Sequence, residues 1–274
     1  MKIALLSDVH SNAVAFRLAL EDVKTQVVQK VLLLGDVVGY GDDPVTCIKL
    51  AKDNCTVILK GNHDAALVGE ESLSNFIPHA QDGILHNRGK VSEEDRNWLK
   101  SIQYLCVCPQ WHFVATHGSV FAPEKFFYND DPTSKRIDLN ELKRFQTKTD
   151  TFNIIFCAHT HKPDIFGYEV DTGTMNFPML EFDPNEKPDQ RVFDLDPKLK
   201  YVINVGSVGY PRVEGRSTYV IYDTDLQTVT FRYLPFDVQA YAKRLEAAQI
   251  SLPFWVKYEL ERISKTGEPE NGNR

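Results

Sequence analysis

Seven side chains able to bind a metal sit in five short segments of this chain, most of them just past an apolar run. They are Asp8 and His10 in LLSDVHSN, Asp36 in VLLLGDVVGYG, Asn62 in VILKGNHD, His117 in HFVATHGS, and His159 and His161 in IIFCAHTHKP. Carboxylates, imidazoles and an amide oxygen together suit hard to borderline divalent ions. Each piece also has a plain alternative. Asp8 could cap a helix beside a surface His10, Asp36 could serve a turn, and Gly61-Asn62-His63-Asp64 reads as a turn by composition. Two features favour chemistry. Asp8 and His10 lie two residues apart, so extended backbone points both the same way. A carboxylate that closes a buried strand, as Asp36 does, is costly unless paired or metal-bound. The joint pattern outweighs its parts, because five plain readings would have to hold at once. Two adjacent metal ions are a standard device for phosphoester hydrolysis.

The elements that must position these residues alternate in type. Residues 2–7 and 30–35 read as buried strands, and 56–60 as a third. Between them lie an amphipathic helix over 12–28, capped by Ser11 or Asn12, and a helix over about 44–53 that opens on Pro44. Strand and helix in that rhythm argue for parallel βαβ units. In such an α/β protein the residues just past strand ends line one crevice. Residues 65–100 read as mainly helical, with a capping box at Ser92 and Asp95. Residues 104–108 and 111–116 form a hairpin across Pro109-Gln110, followed by a surface loop over 119–137 and a helix over 138–148. The rest is rich in strands, at 153–158, 164–170, 199–205, 217–223 and 228–234. The proline-rich, acidic stretch 181–198 reads as an insertion loop. Helices are expected at 237–248 and 253–264, and the last ten residues as a disordered tail. Residues 1–264 therefore read as one domain.

Composition bounds the partners. The chain has 274 residues, 42% hydrophobic and 25% charged, which is enough for one substantial core. Its net charge of −7 argues against a broad nucleic-acid footprint, which needs a basic face. A small anionic substrate drawn by local metal charge remains compatible. The five cysteines are odd in number and form no C-x-x-C pair, so they read as small buried hydrophobes in a reducing compartment. The apolar start ends at Asp8, too short for a signal peptide, and no stretch could span a membrane. Cytoplasm is the default location. The oligomeric state is not legible.

The order of the blocks matches a known family. D-x-H, then G-D, then G-N-H-D, then H-G, then H-x-H resembles the calcineurin-like metallophosphoesterases, over residues 8–161. GDVVGYGDDP (35–44) and NVGSVGYPR (204–212) are similar to the bacterial and archaeal branch described as diadenosine-tetraphosphatase-like. The resemblance implies a four-layer α/β-β/α sandwich of two mixed sheets with its site at strand ends. It implies a first metal on Asp8, His10 and His161, and a second on Asn62, His117 and His159, with Asp36 bridging. A bridging water or hydroxide would complete both spheres and serve as nucleophile. Two divalent ions carry four positive charges against three negative ones on Asp8, Asp36 and hydroxide, so the centre attracts phosphate. Mixed nitrogen and oxygen ligation favours Mn or Fe, with Zn, Co or Ni as alternatives, over Ca or Mg.

By the same resemblance His63 bonds phosphoryl oxygens or protonates the leaving group; its plain alternative is a turn histidine. There are departures. Ser11 stands where the branch often has Gly, and Ala158 where Gly often precedes H-x-H. Gly39 and Tyr40 stand where protein Ser/Thr phosphatases carry Asp and Arg, which disfavours that activity. Asn12, Tyr40, Arg212 and Arg216 are the candidate substrate contacts. Tyr40 is suited to an ester's organic group, and both arginines read equally as phosphate contacts or as solvated loop charges. His79, His86 and His112 read as surface or capping residues. Hydrolysis of a small phosphoester or nucleotide is the expected function. A catalytically silent scaffold of the same fold and a metal-dependent nuclease are the rivals.

Overall fold

The structure is a computed structural model and describes residues 1–120, 122–123, 152–169, 175–176, 189–212, 215–235 and 237–266. Apolar residues alternate along the first strand, β1 (Lys2–Leu6), because both its faces are covered. Ile3 and Leu5 turn to one core, and Ala4 and Leu6 to another. The first helix, α1 (Ala13–Thr25), starts where Asn12 Oδ1 accepts from Ala15 N at 3.1 Å. Such a cap is worth about 1 kcal/mol. The helix buries Ala15, Phe16, Ala19, Leu20 and Val23 along one stripe. β2 (Lys30–Leu33) then pairs parallel to β1. α2 (Pro44–Asn54) begins on its proline, with Asp43 accepting from Thr46 N at 3.2 Å.

The third strand, β3 (Val57–Ile58), is shorter than its sequence suggests. The chain leaves it early to start α3 (Asn62–Val68), so the GNHD block is a helix N-terminus and not a free turn. α4 (Pro78–Lys90) and α5 (Glu93–Ser101) follow, the latter capped by Ser92 as expected. β4 (Leu105–Cys108) and β5 (Phe113–Thr116) make the expected hairpin over a short 3-10 turn. β6 (Ile154–Cys157), β7 (Asp164–Glu169) and β8 (Met175–Asn176) come next. The loop expected over 181–198 needs correction. Its described part contains β9 (Gln190–Asp194), which pairs antiparallel to a later strand and alternates in exposure. Charged residues on that exposed edge hide the strand pattern from a reading by composition. β10 (Leu199–Asn204), β11 (Arg216–Asp223), β12 (Thr228–Pro235), α6 (Val238–Ala247) and α7 (Phe254–Thr266) complete the fold. The helix expected over 138–148 and most of the expected loop over 119–137 lie outside the described residues, as does the tail beyond Thr266.

Two six-stranded mixed sheets result. One runs β3-β2-β1-β11-β12-β9 and the other β4-β5-β6-β10-β7-β8. Their facing sides share a core that includes Ile3, Leu5, Phe113, Phe156, Tyr222 and Phe231. Helices α1, α2, α5 and α6 bury their apolar faces on the outer side of the first sheet. The second sheet has an apolar outer side of its own, around Val114, Ile155, Phe166 and Val202. The chain is thus an α/β sandwich. In the first sheet β1, β2 and β3 are mutually parallel, and in the second β5, β6 and β10 are. The carboxyl ends of β1, β2, β3, β5 and β6 bring the five ligand-bearing loops to one edge of the sandwich. None of the five cysteines forms a disulfide. Among the described residues no helix is long and apolar enough to cross a membrane.

Candidate metal centre

Each of the seven ligand-type residues lies just beyond the end of a strand. Asp8 follows β1, Asp36 follows β2, Asn62 opens α3 after β3, His117 follows β5, and His159 and His161 follow β6. The first two loops are stitched together by backbone bonds, Asp8 N to Gly35 O at 3.1 Å and His10 N to Asp36 O at 2.9 Å. The backbone there is unusual. Asp8, His10, Asp36, His159 and His161 all have φ between 50° and 68°, a region that costs an L-residue energy. Left-handed backbone immediately after a strand turns these side chains inward together. Ser11, where Gly would be easier, adopts φ 55° as well, so the turn keeps its shape despite the substitution.

The side chains gather into two groups that share one carboxylate. Asp8, His10, Asp36 and His161 offer donor atoms within 4.8 Å of one another, and so do Asp36, His117 and His159. All are buried. In the first group His161 Nε2 lies 3.2 Å from Asp8 Oδ1 and 3.0 Å from His10 Nε2, and His10 Nε2 lies 3.6 Å from Asp36 Oδ2. In the second, His117 Nε2 lies 3.3 Å from Asp36 Oδ2. Asn62 Oδ1 joins that group, 3.1 Å from His117 Nε2 and 3.0 Å from His159 Nδ1. Donor atoms held about 2.0–2.2 Å from a common ion at ordinary angles lie about 3.0–3.6 Å apart. The observed separations fall in that band.

Hydrogen bonding gives a second test of fit. His10 Nδ1 faces Val38 O at 3.3 Å and His117 Nδ1 faces Leu34 O at 2.7 Å. A carbonyl only accepts, so both Nδ1 atoms carry the proton. In the neutral ring Nε2 is then a lone pair. The His117 lone pair points at Asn62 Oδ1 and Asp36 Oδ2, which also accept. Asp8 Oδ1 and Asp36 Oδ2 are buried without a hydrogen-bond donor. Acceptors converging on acceptors need a cation or a proton between them. The backbone carbonyls that orient each ring are the outer partners metal-bound histidines ordinarily have. The residues fit divalent metal binding.

Titration shifts express the same crowding in the protein's own groups. Burial works against ionising Asp8 and Asp36, but the histidines around them outweigh it and hold both well below the usual carboxylate range. Burial also opposes charge on His117, yet the Asp36 and Asp8 carboxylates push it up to about 9. His159 goes the other way, down to about 3, through burial and then the positive charge of His117. His63 falls well below its ordinary value, chiefly through burial. Its neighbour Asp64 is raised to about 7 by burial and by the charge of Asp36, although it accepts from Gly61 N at 3.0 Å and Val38 N at 3.2 Å.

His63 sits beside the first group, its ring 4.6 Å from that of His10 and 4.6 Å from that of Tyr40. Its backbone N–H donates to Asp36 Oδ1 at 2.8 Å, and its Nδ1 is buried without a hydrogen-bond partner. Gly39 packs against this ring so closely that a Cβ there would strike it. The Tyr40 and Tyr210 rings lie 4.2 Å apart, tilted by 32°, beside His10 and His161. Arg212 is exposed at their edge, its guanidinium 6.0 Å from the Tyr210 ring, and its charge is felt by His161.

Two of the expected substrate contacts are committed elsewhere. Asn12 caps α1 with Oδ1 and donates from Nδ2 to Gly209 O at 3.0 Å. Arg216 is buried in β11, donating to Tyr233 O at 2.9 Å and pairing with Asp189 at 3.2 Å. Both neighbour the site in sequence, which is why sequence proximity pointed to them. Conversely His79, read as a surface residue, reaches the site wall, with Nε2 2.9 Å from the Tyr210 hydroxyl. Their separation of 131 residues leaves no local signal for that contact.

Comparison with known proteins agrees with this geometry. The family described as "Calcineurin-like phosphoesterase superfamily domain" matches residues 1–227. The uncharacterized protein MJ0912 of Methanocaldococcus jannaschii is 29% identical over 261 residues, covering 93% of this chain and 95% of that protein. A metallophosphoesterase from Sphaerobacter thermophilus superposes with a TM-score of 0.71 at 29% identity, over 95% of this chain and 98% of its own. The hypothetical protein PH1004 from Pyrococcus horikoshii OT3 shares the fold, with a TM-score of 0.69 at 17% identity over 94% and 97% of the two chains.

Proposed function

Because the chain belongs to the calcineurin-like phosphoesterase superfamily, we propose that it cleaves phosphodiester or phosphoanhydride bonds of small organic or nucleotide substrates at a pair of divalent ions. Membership makes it a metal-dependent phosphoesterase; the pairing of the ions, their identity and the substrate are what we infer. The observation that carries the two-ion reading is Asp36. Its carboxylate belongs to both ligand groups, so one residue can join two sites. Asp8, His10 and His161 would hold one ion with it, and Asn62, His117 and His159 the other. When bound, the ions would supply Lewis-acid pull on phosphoryl oxygens and an acidified water. Nitrogen-rich, oxygen-completed ligation favours Mn or Fe.

The chain's own residues do the rest. Burial keeps His63 neutral at ordinary pH, so it serves as an N–H donor that orients a phosphoryl or leaving-group oxygen rather than as a standing cation. Arg212 is an exposed cation at the site's edge and is suited to a further phosphate oxygen. Gly39 and Tyr40 narrow the substrate. Neither can pair with a phosphate dianion as an arginine would. A diester carries less charge and loses less by that absence, and the Tyr40–Tyr210 wall suits an organic group. The odd number of cysteines, with no C-x-x-C pair, favours a reducing compartment, and we place the chain in the cytoplasm on that ground.

One experiment tests the reading. Metal-reconstituted protein is assayed against bis-p-nitrophenyl phosphate, p-nitrophenyl phosphate, a nucleotide panel and a phosphopeptide. The diester or nucleotide arms should give the highest kcat/KM, and a clear preference for the phosphopeptide refutes the substrate class. In the same assay His63→Asn should lower kcat by about 10²- to 10⁴-fold with both metals retained.

A further inference from the structure

Helix α4 carries none of the ligands, yet it touches the loops that do. Its face Ala80, Gly83, Ile84 and Asn87 is buried. Gly83 lets that face press on the backbone of Tyr40, where a Cβ would come within 2.5 Å of Tyr40 Cα. One turn further on, Asn87 is fully buried and spends its amide on both metal-binding loops. Its Oδ1 accepts from Ser11 Oγ at 2.6 Å and from Gly39 N at 2.8 Å, and its Nδ2 donates to Gly41 O at 2.8 Å. The amide's orientation is unambiguous, because a backbone N–H must meet oxygen and a backbone carbonyl must meet nitrogen. Gly41 N in turn donates to His10 O at 2.9 Å.

These loops contain the strained residues. His10, Ser11, Asp36 and Tyr40 all sit at positive φ, with Gly39 at 101°. Backbone of that kind persists only where its surroundings over-determine it. The loops are also tied to α3, through Val38 N to Asp64, and to the loop after β10, through Asn12 to Gly209 O, but each of those ties reaches only one loop. Asn87 joins both to a helix packed in the core. We propose that Asn87 is a positioning residue for the metal centre, holding the Asp8–Asn12 and Asp36–Asp42 loops in the geometry that lets Asp8, His10 and Asp36 share an ion. The inference rests on the two-ion reading and adds a determinant that lies 46 residues from its nearest loop partner, Gly41, and 76 from Ser11.

The test uses Mn²⁺ alone as probe, titrated calorimetrically into the metal-stripped full chain. Wild type should bind two equivalents. Asn87→Ala should bind them about 10- to 100-fold more weakly, the range typical when an outer partner of a metal ligand is removed. Asn87→Asp keeps acceptors for Ser11 and Gly39 and loses the donor to Gly41, so it should fall between the two. It also decides the matter if Asn87→Ala does not fold. Leu99→Ala, a core truncation in α5, which bears no ligand, separates positioning from general destabilisation and should keep wild-type affinity. Unchanged Mn²⁺ affinity in Asn87→Ala and Asn87→Asp overturns the proposal, as does equal weakening in Leu99→Ala. A wild-type chain that binds no Mn²⁺ instead brings down the metal reading on which it stands.

Discussion

A single carboxylate decides what kind of centre this is. Asp36 Oδ2 lies within 3.6 Å of His10 Nε2 in one group and 3.3 Å of His117 Nε2 in the other. Its remaining oxygen, Oδ1, accepts from His63 N and is therefore not free to move. Asp36→Asn keeps the shape and removes the charge, so it should weaken both ions together. Elemental analysis after Mn reconstitution should drop from near two equivalents toward none. Loss of only one equivalent would show that the two groups do not depend on a shared residue. At this scale the sequence was highly legible where chemistry is local in the chain. Asp8-x-His10 and His159-x-His161 announce themselves by spacing, and Asp36 by its cost at a strand end. Residues whose role depends on distant partners were not legible. His79 looked like surface, and Asn87 gave no signal at all, because each acts through contacts 46 to 131 residues away. Arg216 failed in the opposite sense, since a motif neighbour can be claimed by the sheet it belongs to.

At the scale of elements, the site is a set of strand ends held at close range by glycines. Gly35 has φ 99°, and a Cβ there would lie 2.7 Å from Gly61 N and 2.8 Å from His117 Nδ1. Both neighbours matter, because Gly61 precedes Asn62 and His117 Nδ1 is already bonded to Leu34 O. Gly35→Ala should therefore cost at least about 1 kcal/mol from backbone strain alone. It should also push the β3–α3 junction and His117 away from Asp36, so the second ion suffers more than the first. Chemical denaturation of metal-free protein reads the first effect and Mn²⁺ titration the second. A stable variant with two unchanged sites would mean that the loops yield more readily than their packing suggests. The elements themselves were mostly legible, because apolar alternation and caps at Asn12, Asp43 and Ser92 are local signals. β9 was missed because its exposed, charged edge lacks that alternation of type, and α3 was placed late because Asn62 and His63 look like turn residues until they are seen opening a helix.

The whole molecule places the centre across the join between two sheets. Asp8, Asp36 and Asn62 come from ends of the first sheet, and His117, His159 and His161 from ends of the second. Ions bound there cross-link the halves of the sandwich, so metal removal should loosen the fold as a whole. A ligand present at 100 times its dissociation constant stabilises by about 2.7 kcal/mol, so two ions contribute roughly 5 kcal/mol. That rivals the total stability of many domains, and at about 2 °C per kcal/mol it corresponds to a Tm shift of roughly 10 °C. The shift should depend on pH. In the metal-free chain His117 holds its proton up to about 9, and Asp64 up to about 7. Raised pKa values of this sort stabilise the metal-free fold fully below the unfolded values, and the benefit is lost as pH rises through the folded ones. Over the same interval metal binding strengthens, because the His117 proton no longer competes for its lone pair. The two effects have the same sign. The difference in Tm between Mn²⁺-loaded and EDTA-treated protein should therefore widen from pH 6 to pH 9, which a scanning fluorimetry series at fixed ionic strength would measure. A difference that stays constant or shrinks over that range would place the ions somewhere other than between Asp36 and His117.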